Sequence, residues 1–267
     1  MSGSPPNRPR GAPAAGPVDP LGTDKHPAKI AGMFDAIAHR YDLLNHALSG
    51  GLDLYWRARA IRALGFTGHE TVLDLCTGTC DLAIAALDRR KGQARRAVGL
   101  DFSGAMLRVG QRKLRDRRLD GQAPLVRADA MHLPLAAGVV DAVTIAFGIR
   151  NVADPAVACR EIARVLRPGG RLAVLEFSMP RVPFVRGAYT WYFRNVLPRI
   201  GRVVSRHDEA YTYLPASVGA FLTPDEFAAL VGGAGFTSVR AVPLTLGVVY
   251  LYTAVKAGYG GSPGNPV

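Results

Sequence analysis

Between Lys29 and Leu64 the apolar positions Ile30, Met33, Phe34, Ile37, Tyr41 and Leu44 recur at helical spacing, and a Ser-Gly-Gly break at 49–51 divides the run. Beyond it the period changes. TVLDLC (71–76), RAVGLD (96–101), PLVRAD (124–129), VVDAVTIAF (139–147) and RLAVLEF (171–177) are short apolar runs bounded by turns, which predicts strands. The stretches between them, LAIAALDRR, AMLRVGQRKLRDRR and PAVACREIARVL, are helical in pattern. Strands alternating with helices of this length predict an α/β fold with a parallel sheet covered on both faces. The rhythm stops after Ser178, and residues 180–220 read as an insertion rich in Arg and aromatics. TPDEFAALVGGAG then restores a helix, with Thr223 and Glu226 as a capping box and Pro224 at the first helical position. The last runs, FTSVRAVPL and GVVYLYTAV, are close enough to pair as a hairpin.

Composition narrows the partners. A chain of 267 residues, 48% apolar, suits one large domain. Residues 1–25 and 257–267 are rich in Pro and Gly and are expected to be disordered tails, leaving a folded domain over 26–256. The net charge of +12 suits an anionic partner, nucleic acid or a membrane surface, although a basic proteome gives the same balance. The three cysteines, an odd number without a Cys-x-x-Cys pair, fit neither a disulfide framework nor a zinc site, so no metal is expected and the setting is a reducing cytosol. No window has the roughly 20 unbroken apolar residues of a membrane span.

The chemistry concentrates behind the first strand. DLCTGTCD, Asp74 to Asp81, stands where the first strand-to-helix turn of an open parallel sheet meets its ligand. Asp74, Asp101 and Asp129 end three consecutive strands. A dinucleotide would need three glycines in G-x-G-x-x-G spacing to cradle its pyrophosphate, yet Cys76 and Asp81 replace the outer two, which disfavours an NAD-dependent oxidoreductase. S-adenosylmethionine has no phosphate and carries a cationic sulfonium, so it needs acids more than glycines. Gly78 is the turn position where backbone approaches ligand, and Cys80 stands at a packing position, with Ala83 and Ala130 as the small neighbours expected to make room.

Three stretches go further. YDLLNHALSGGLDLYW (41–56), FGIRNVAD (147–154) and RVLRPGGRLAVLEFS (164–178) together resemble the C-methyltransferase family of menaquinone and ubiquinone biosynthesis, and the resemblance spans residues 29–256. Leu44, Asp53 and Arg167 depart from the family's usual Met, His and Lys. The resemblance implies a Rossmann-like S-adenosylmethionine-dependent methyltransferase fold, a seven-stranded, mostly parallel sheet with an antiparallel last strand. It also implies that Thr79, Asp101, Asp129 and Ala130 contact the cofactor, beside Asp74 and Gly78 of the turn, while Ala146 replaces a Ser contact. The implied reaction is methylation of a prenylated quinol carbon, demethylmenaquinol to menaquinol foremost, with a ubiquinone-pathway benzoquinol or a phenolic secondary metabolite as alternatives.

Arg150, Asn151 and Tyr41 are the expected catalytic residues, Arg150 organising a water or polarising a quinol oxygen, and His46 is a further base candidate. The insertion RVPFVRGAYTWYFRNVLPRIGRVVSR, with six arginines, five aromatics and no acid, suits the headgroup boundary of an anionic bilayer. Peripheral contact with the inner face of the cell membrane follows as an expectation, and a homodimer is allowed. Nucleic acid is disfavoured, because no Asn-Pro-Pro-aromatic motif follows the fourth strand.

Overall fold

A computed structural model describes residues 27–88, 90, 92–196 and 209–258. Its centre is a seven-stranded sheet in the order β3-β2-β1-β4-β5-β7-β6. The strands are β1 Thr71–Leu75, β2 Arg96–Asp101, β3 Leu125–Arg127, β4 Val140–Ala146, β5 Leu166–Phe177, β6 Phe236–Leu244 and β7 Val249–Lys256. The β1–β2, β1–β4, β2–β3 and β4–β5 pairs are parallel. β7 runs antiparallel to both β5 and β6, so the terminal hairpin and the antiparallel last strand are both present.

Both faces of the sheet are apolar, and each buries its own core. Leu73 and Leu75 of β1 point to the side packed by Ile162 and Phe227, while Val72 just before them points to the side packed by Trp56, Ile61 and Leu64. That period-two alternation is the strand geometry itself. The helices are α1 Pro27–Ile37, α2 Tyr41–Ser49, α3 Leu52–Leu64, α4 Asp81–Leu87, α5 Gly104–Asp116, α6 Pro155–Val165, α7 Pro183–Asn195, α8 Glu209–Ala220 and α9 Pro224–Gly233. Gly50 and Gly51 break α2 from α3 in the left-handed region, at φ +59° and +80°. The capping box forms at α9 as expected, with the side chains of Thr223 and Glu226 bonding reciprocally to backbone amides.

Some boundaries differ from the sequence pattern. β5 begins at Leu166, where it pairs with Val140, and reaches Arg171 across a register shift with Gly169 at φ +75°. β3 stops at Arg127, so Asp129 lies in the loop beyond it. The expected tails 1–25 and 257–267 lie outside the described residues except for Ala257 and Gly258, as does the insertion between 197 and 208. Among the described residues no helix is long and apolar enough to cross a membrane, and no metal-ligating cluster is present.

Candidate functional site

The site grows from the turn after β1. Three of its residues take positive φ, Cys76 at 54°, Gly78 at 54° and Cys80 at 69°, and the Gly78 amide donates to Asp101 at the end of β2. Only one of the three is the residue type that adopts this without cost. Room for the cysteines comes from opposing glycines. A Cβ added at Gly110 of α5 would lie 2.3 Å from Cys80 Sγ, and one at Gly148 would lie 2.3 Å from Cys76 Cβ. Ala83 shares the Cys80 cluster, but Ala130 packs in another core, so the small neighbour that matters is Gly110. Burial pushes the Cys80 thiol up to about 12, which makes it a packing group rather than a nucleophile.

Asp74 lies beneath the turn as a strut. Its Oδ2 accepts from Thr77 Oγ1 at 2.5 Å and from the Ala83 amide at 3.0 Å, and its Oδ1 accepts from Thr144 Oγ1 at 2.8 Å. Burial nonetheless raises its carboxyl to about 6. Asp101 stands on the rim. It takes the amides of Gly78 and Ser103, each at 2.8 Å, on separate oxygens, and each oxygen keeps a lone pair for a ligand. Burial raises its pKa as well.

Asp101, Asp129 and Ala130 line one pocket with Gly78, Cys76 and Ala146, roofed by Ile30 and Phe34 of α1. Asp35 fixes that roof by accepting from Ser103 Oγ at 2.5 Å and from the Ala105 amide at 3.2 Å. Thr79 faces elsewhere. Its hydroxyl donates to Asp42 at 2.5 Å, and it lines a smaller cavity on the far side of the turn with Arg57, Asp81 and Asp74.

A second, larger and mainly apolar pocket of about 310 Å³ lies beyond, within the ordinary range for ligand sites of ~300–1,000 Å³. Tyr41, Phe34 and Phe147 line both pockets and form their common wall. Tyr41 is buried, which raises its pKa, so at neutral pH it is a phenol able to donate. Two buried polar atoms on this second pocket's lining have no hydrogen-bond partner among the described residues, Asn45 Nδ2 and Tyr189 Oη, and the buried Asp53 carboxylate lines it as well.

Arg150 and Asn151 follow β4 in a short helical turn. Arg150 lines the apolar pocket, but its Nη1 is bound to Glu176 Oε1 at 2.7 Å and to the Phe147 carbonyl at 2.5 Å. Burial works against its charge and the Glu176 carboxylate outweighs that, so its pKa rises. Asn151 lines the first pocket, and its Oδ1 accepts from Tyr213 Oη at 3.0 Å. His46, 40% exposed, turns its Nδ1 to Asp53 at 3.0 Å. Glu176 and Phe147 escaped the sequence reading. The signal for Glu176 was there, an acid inside the apolar run of a central strand, which demands a buried cation as partner. Phe147 at φ +61° left no trace in the sequence.

Residues 22–256 match the model of the ubiE/COQ5 methyltransferase family. The chain belongs to that family. It is 47% identical over 228 residues to the ubiquinone/menaquinone biosynthesis C-methyltransferase UbiE of Syntrophotalea carbinolica, covering 84% of this chain and 93% of that one. It is 46% identical over 220 residues to the demethylmenaquinone methyltransferase of Thermus thermophilus, covering 82% and 98%. Among solved structures, a SAM-dependent methyltransferase from Aquifex aeolicus aligns with a TM-score of 0.54 at 16% identity, over 86% of this chain and 96% of that one, and shares the fold. The methyl donor of a ubiE/COQ5 methyltransferase is S-adenosylmethionine, and this site fits it. Asp101 lines the first pocket with lone pairs left for ribose hydroxyls, and Arg57 Nε and Nη1 with Asp81 Oδ2 are buried beside the turn without hydrogen-bond partners among the described residues.

Proposed function

We propose that this ubiE/COQ5 methyltransferase methylates a ring carbon of a prenylated quinol, demethylmenaquinol being the substrate that its relatives' names favour. The observation that carries the reading is the common wall of Tyr41, Phe34 and Phe147 between an acid-rimmed pocket and a larger apolar one. S-adenosylmethionine supplies, when bound, a methyl group on a cationic sulfur that leaves as a neutral thioether. The protein's part is position: holding donor and ring in line across that wall is worth about 7–11 kcal/mol of the barrier.

A quinol is the better nucleophile than a quinone, because its hydroxyls push electron density into the ring. Asn45 Nδ2 and Tyr189 Oη, unpartnered among the described residues, hold those hydroxyls in an otherwise apolar pocket, together with the Asp53 carboxylate that His46 flanks. Asp53 accepts the hydroxyl proton, and His46 beside it reaches solvent. The ring carbon gives its electron pair to the methyl group, and Asp53 returns its proton to the oxygen as the ring carbon's own proton passes to solvent and aromaticity returns. Arg150 acts from behind, holding the Phe147 carbonyl and so the wall itself.

The prenyl tail needs a route. Leu43, Leu54 and Tyr55 on α2 and α3, with Phe184 (86% exposed) and Trp191 (60% exposed) on α7, put large apolar side chains in solvent, and Tyr192 ties α7 to α2 by bonding the Leu48 carbonyl at 2.9 Å. Arg186 and Arg194 share α7 with these aromatics. This is the composition of a surface that rests on an anionic bilayer.

Two experiments test the reading. A deletion strain should accumulate the unmethylated quinone and recover the methylated one when this chain is restored, and an unchanged quinone profile counts against it. Phe184→Ser/Trp191→Ser should weaken sedimentation with phosphatidylglycerol vesicles, and undiminished binding removes α7 from the membrane contact.

A further inference from the structure

We propose that Arg57 and Asp81 form the seat for the α-amino acid end of S-adenosylmethionine, Arg57 taking the carboxylate and Asp81 the ammonium. The proposal rests on the cofactor reading above, adds Arg57, which the sequence motifs did not mark, and gives Asp81 of the turn a role. Arg57 lies on α3 and Asp81 opens α4, yet the fold brings Arg57 Nη2 within 4.0 Å of Asp81 Oδ2. That separation is an ionic contact without a hydrogen bond. Nε and Nη1 of Arg57 and Oδ2 of Asp81 are all buried without a hydrogen-bond partner among the described residues, in a side chain that is itself 7% exposed for Arg57. Leaving charged groups unbonded in a buried place is costly. Three such atoms around one cavity mark a ligand that bonds them.

The two groups are kept from closing on each other. Lys113 Nζ binds Asp81 Oδ1 closely and reaches Asp42 Oδ2 at 2.6 Å, which pins the carboxylate from outside. Arg57 is held over the Phe147 ring at 5.6 Å, with Asp53 Oδ2 3.9 Å from Nη2. The cavity they line shares Tyr41, Cys76 and Gly78 with the cofactor pocket, so it continues past the turn away from Asp101. An adenosine held at Asp101 therefore extends toward Arg57 and Asp81.

Charge decides which chemistry fits. A lone anion at Arg57 would meet the carboxylates of Asp53 and Asp81, and a lone cation at Asp81 would meet Arg57 and Lys113. A zwitterion offers each group its opposite charge and adds no net charge to the cavity. Anchoring that end also fixes the direction in which the sulfur presents its methyl group to the shared wall.

Calorimetry with two ligands tests the assignment. S-adenosylhomocysteine and 5′-methylthioadenosine share the adenosine and the thioether, and only the first carries the amino acid. The wild-type protein should bind S-adenosylhomocysteine more tightly. Arg57→Met and Asp81→Asn should each lower that affinity by about 10- to 100-fold while leaving methylthioadenosine binding unchanged, with Arg57→Lys in between. Equal loss for both ligands would show a structural role and overturn the assignment, as would no loss for S-adenosylhomocysteine or equal wild-type affinity for the two. A wild-type protein that binds neither ligand overturns the cofactor reading and this seat together.

Discussion

The thiol of Cys80 fills the space that a side chain at Gly110 would need, since a Cβ there would come within 2.3 Å of Cys80 Sγ. The turn and α5 are thus matched to each other. Gly110→Ala, which in a free helix would gain about 1 kcal/mol, should here cost about 1–3 kcal/mol of stability. In a Cys80→Gly background the same substitution should become neutral or stabilising, because the thiol is gone and Cys80, at φ 69°, is better served by glycine. Thermal unfolding of the four proteins checks this, and Cys80→Gly should keep methyl transfer.

Arg150 and Glu176 should behave as a unit. Arg150→Met leaves a buried carboxylate alone and should cost about 3–5 kcal/mol, and Glu176→Leu should cost a similar amount. The double variant should lose clearly less than the sum of the two, by about 0.5–3 kcal/mol. Additive losses in denaturant unfolding would mean that the pair is not coupled.

Asp101 carries the adenosine end in this account. Asp101→Ala should weaken S-adenosylhomocysteine binding by about 1.5–3 kcal/mol, and it should weaken methylthioadenosine equally, in contrast to changes at Arg57. Some of the loss will come from the Gly78 and Ser103 amides that Asp101 also holds. Normal binding of both ligands by this variant would remove Asp101 from the site.

Glu70 gives the fold a pH dependence. Burial alone would raise its carboxyl, but the Thr67 amide and hydroxyl and the Gly68 amide bond the charged form and bring it down from 4.5 to about 2. A lowered acid stabilises fully above its unfolded value and loses that contribution as pH falls through the folded one. Glu70→Gln should therefore cost about 1–3 kcal/mol at neutral pH, with the gap to wild type closing between pH 4.5 and about 2. A gap independent of pH would contradict this.

Much of the architecture was legible because it rests on period and punctuation. The alternation in TVLDL and RLAVLEF gave strands whose two faces bury two cores, and Thr223-Pro-Asp-Glu gave a helix start that forms as read. The rim acids were legible in the same way, since strand ends fix where Asp101 stands. What the sequence withheld are relations between distant residues. Nothing near Arg150 in the chain shows that Glu176 holds it, and Arg57 and Asp81 become neighbours only when α3 packs beside α4. Thr79 is a case in which the motif gave the residue but not its neighbours, since it lines the cavity of Arg57 and Asp81 with its hydroxyl bonded to Asp42 of α2.

The central claim is methyl transfer to a reduced ring carbon across the wall of Tyr41, Phe34 and Phe147. It is tested most directly by incubating the purified protein with methyl-labelled S-adenosylmethionine and a short-chain demethylmenaquinone, with and without a reductant that converts it to the quinol, and reading the products by mass spectrometry. The account predicts one labelled methyl group on a ring carbon in the reduced sample and none in the oxidised one. Label on a quinol oxygen, or no label on the quinol while S-adenosylmethionine binds normally, would contradict it.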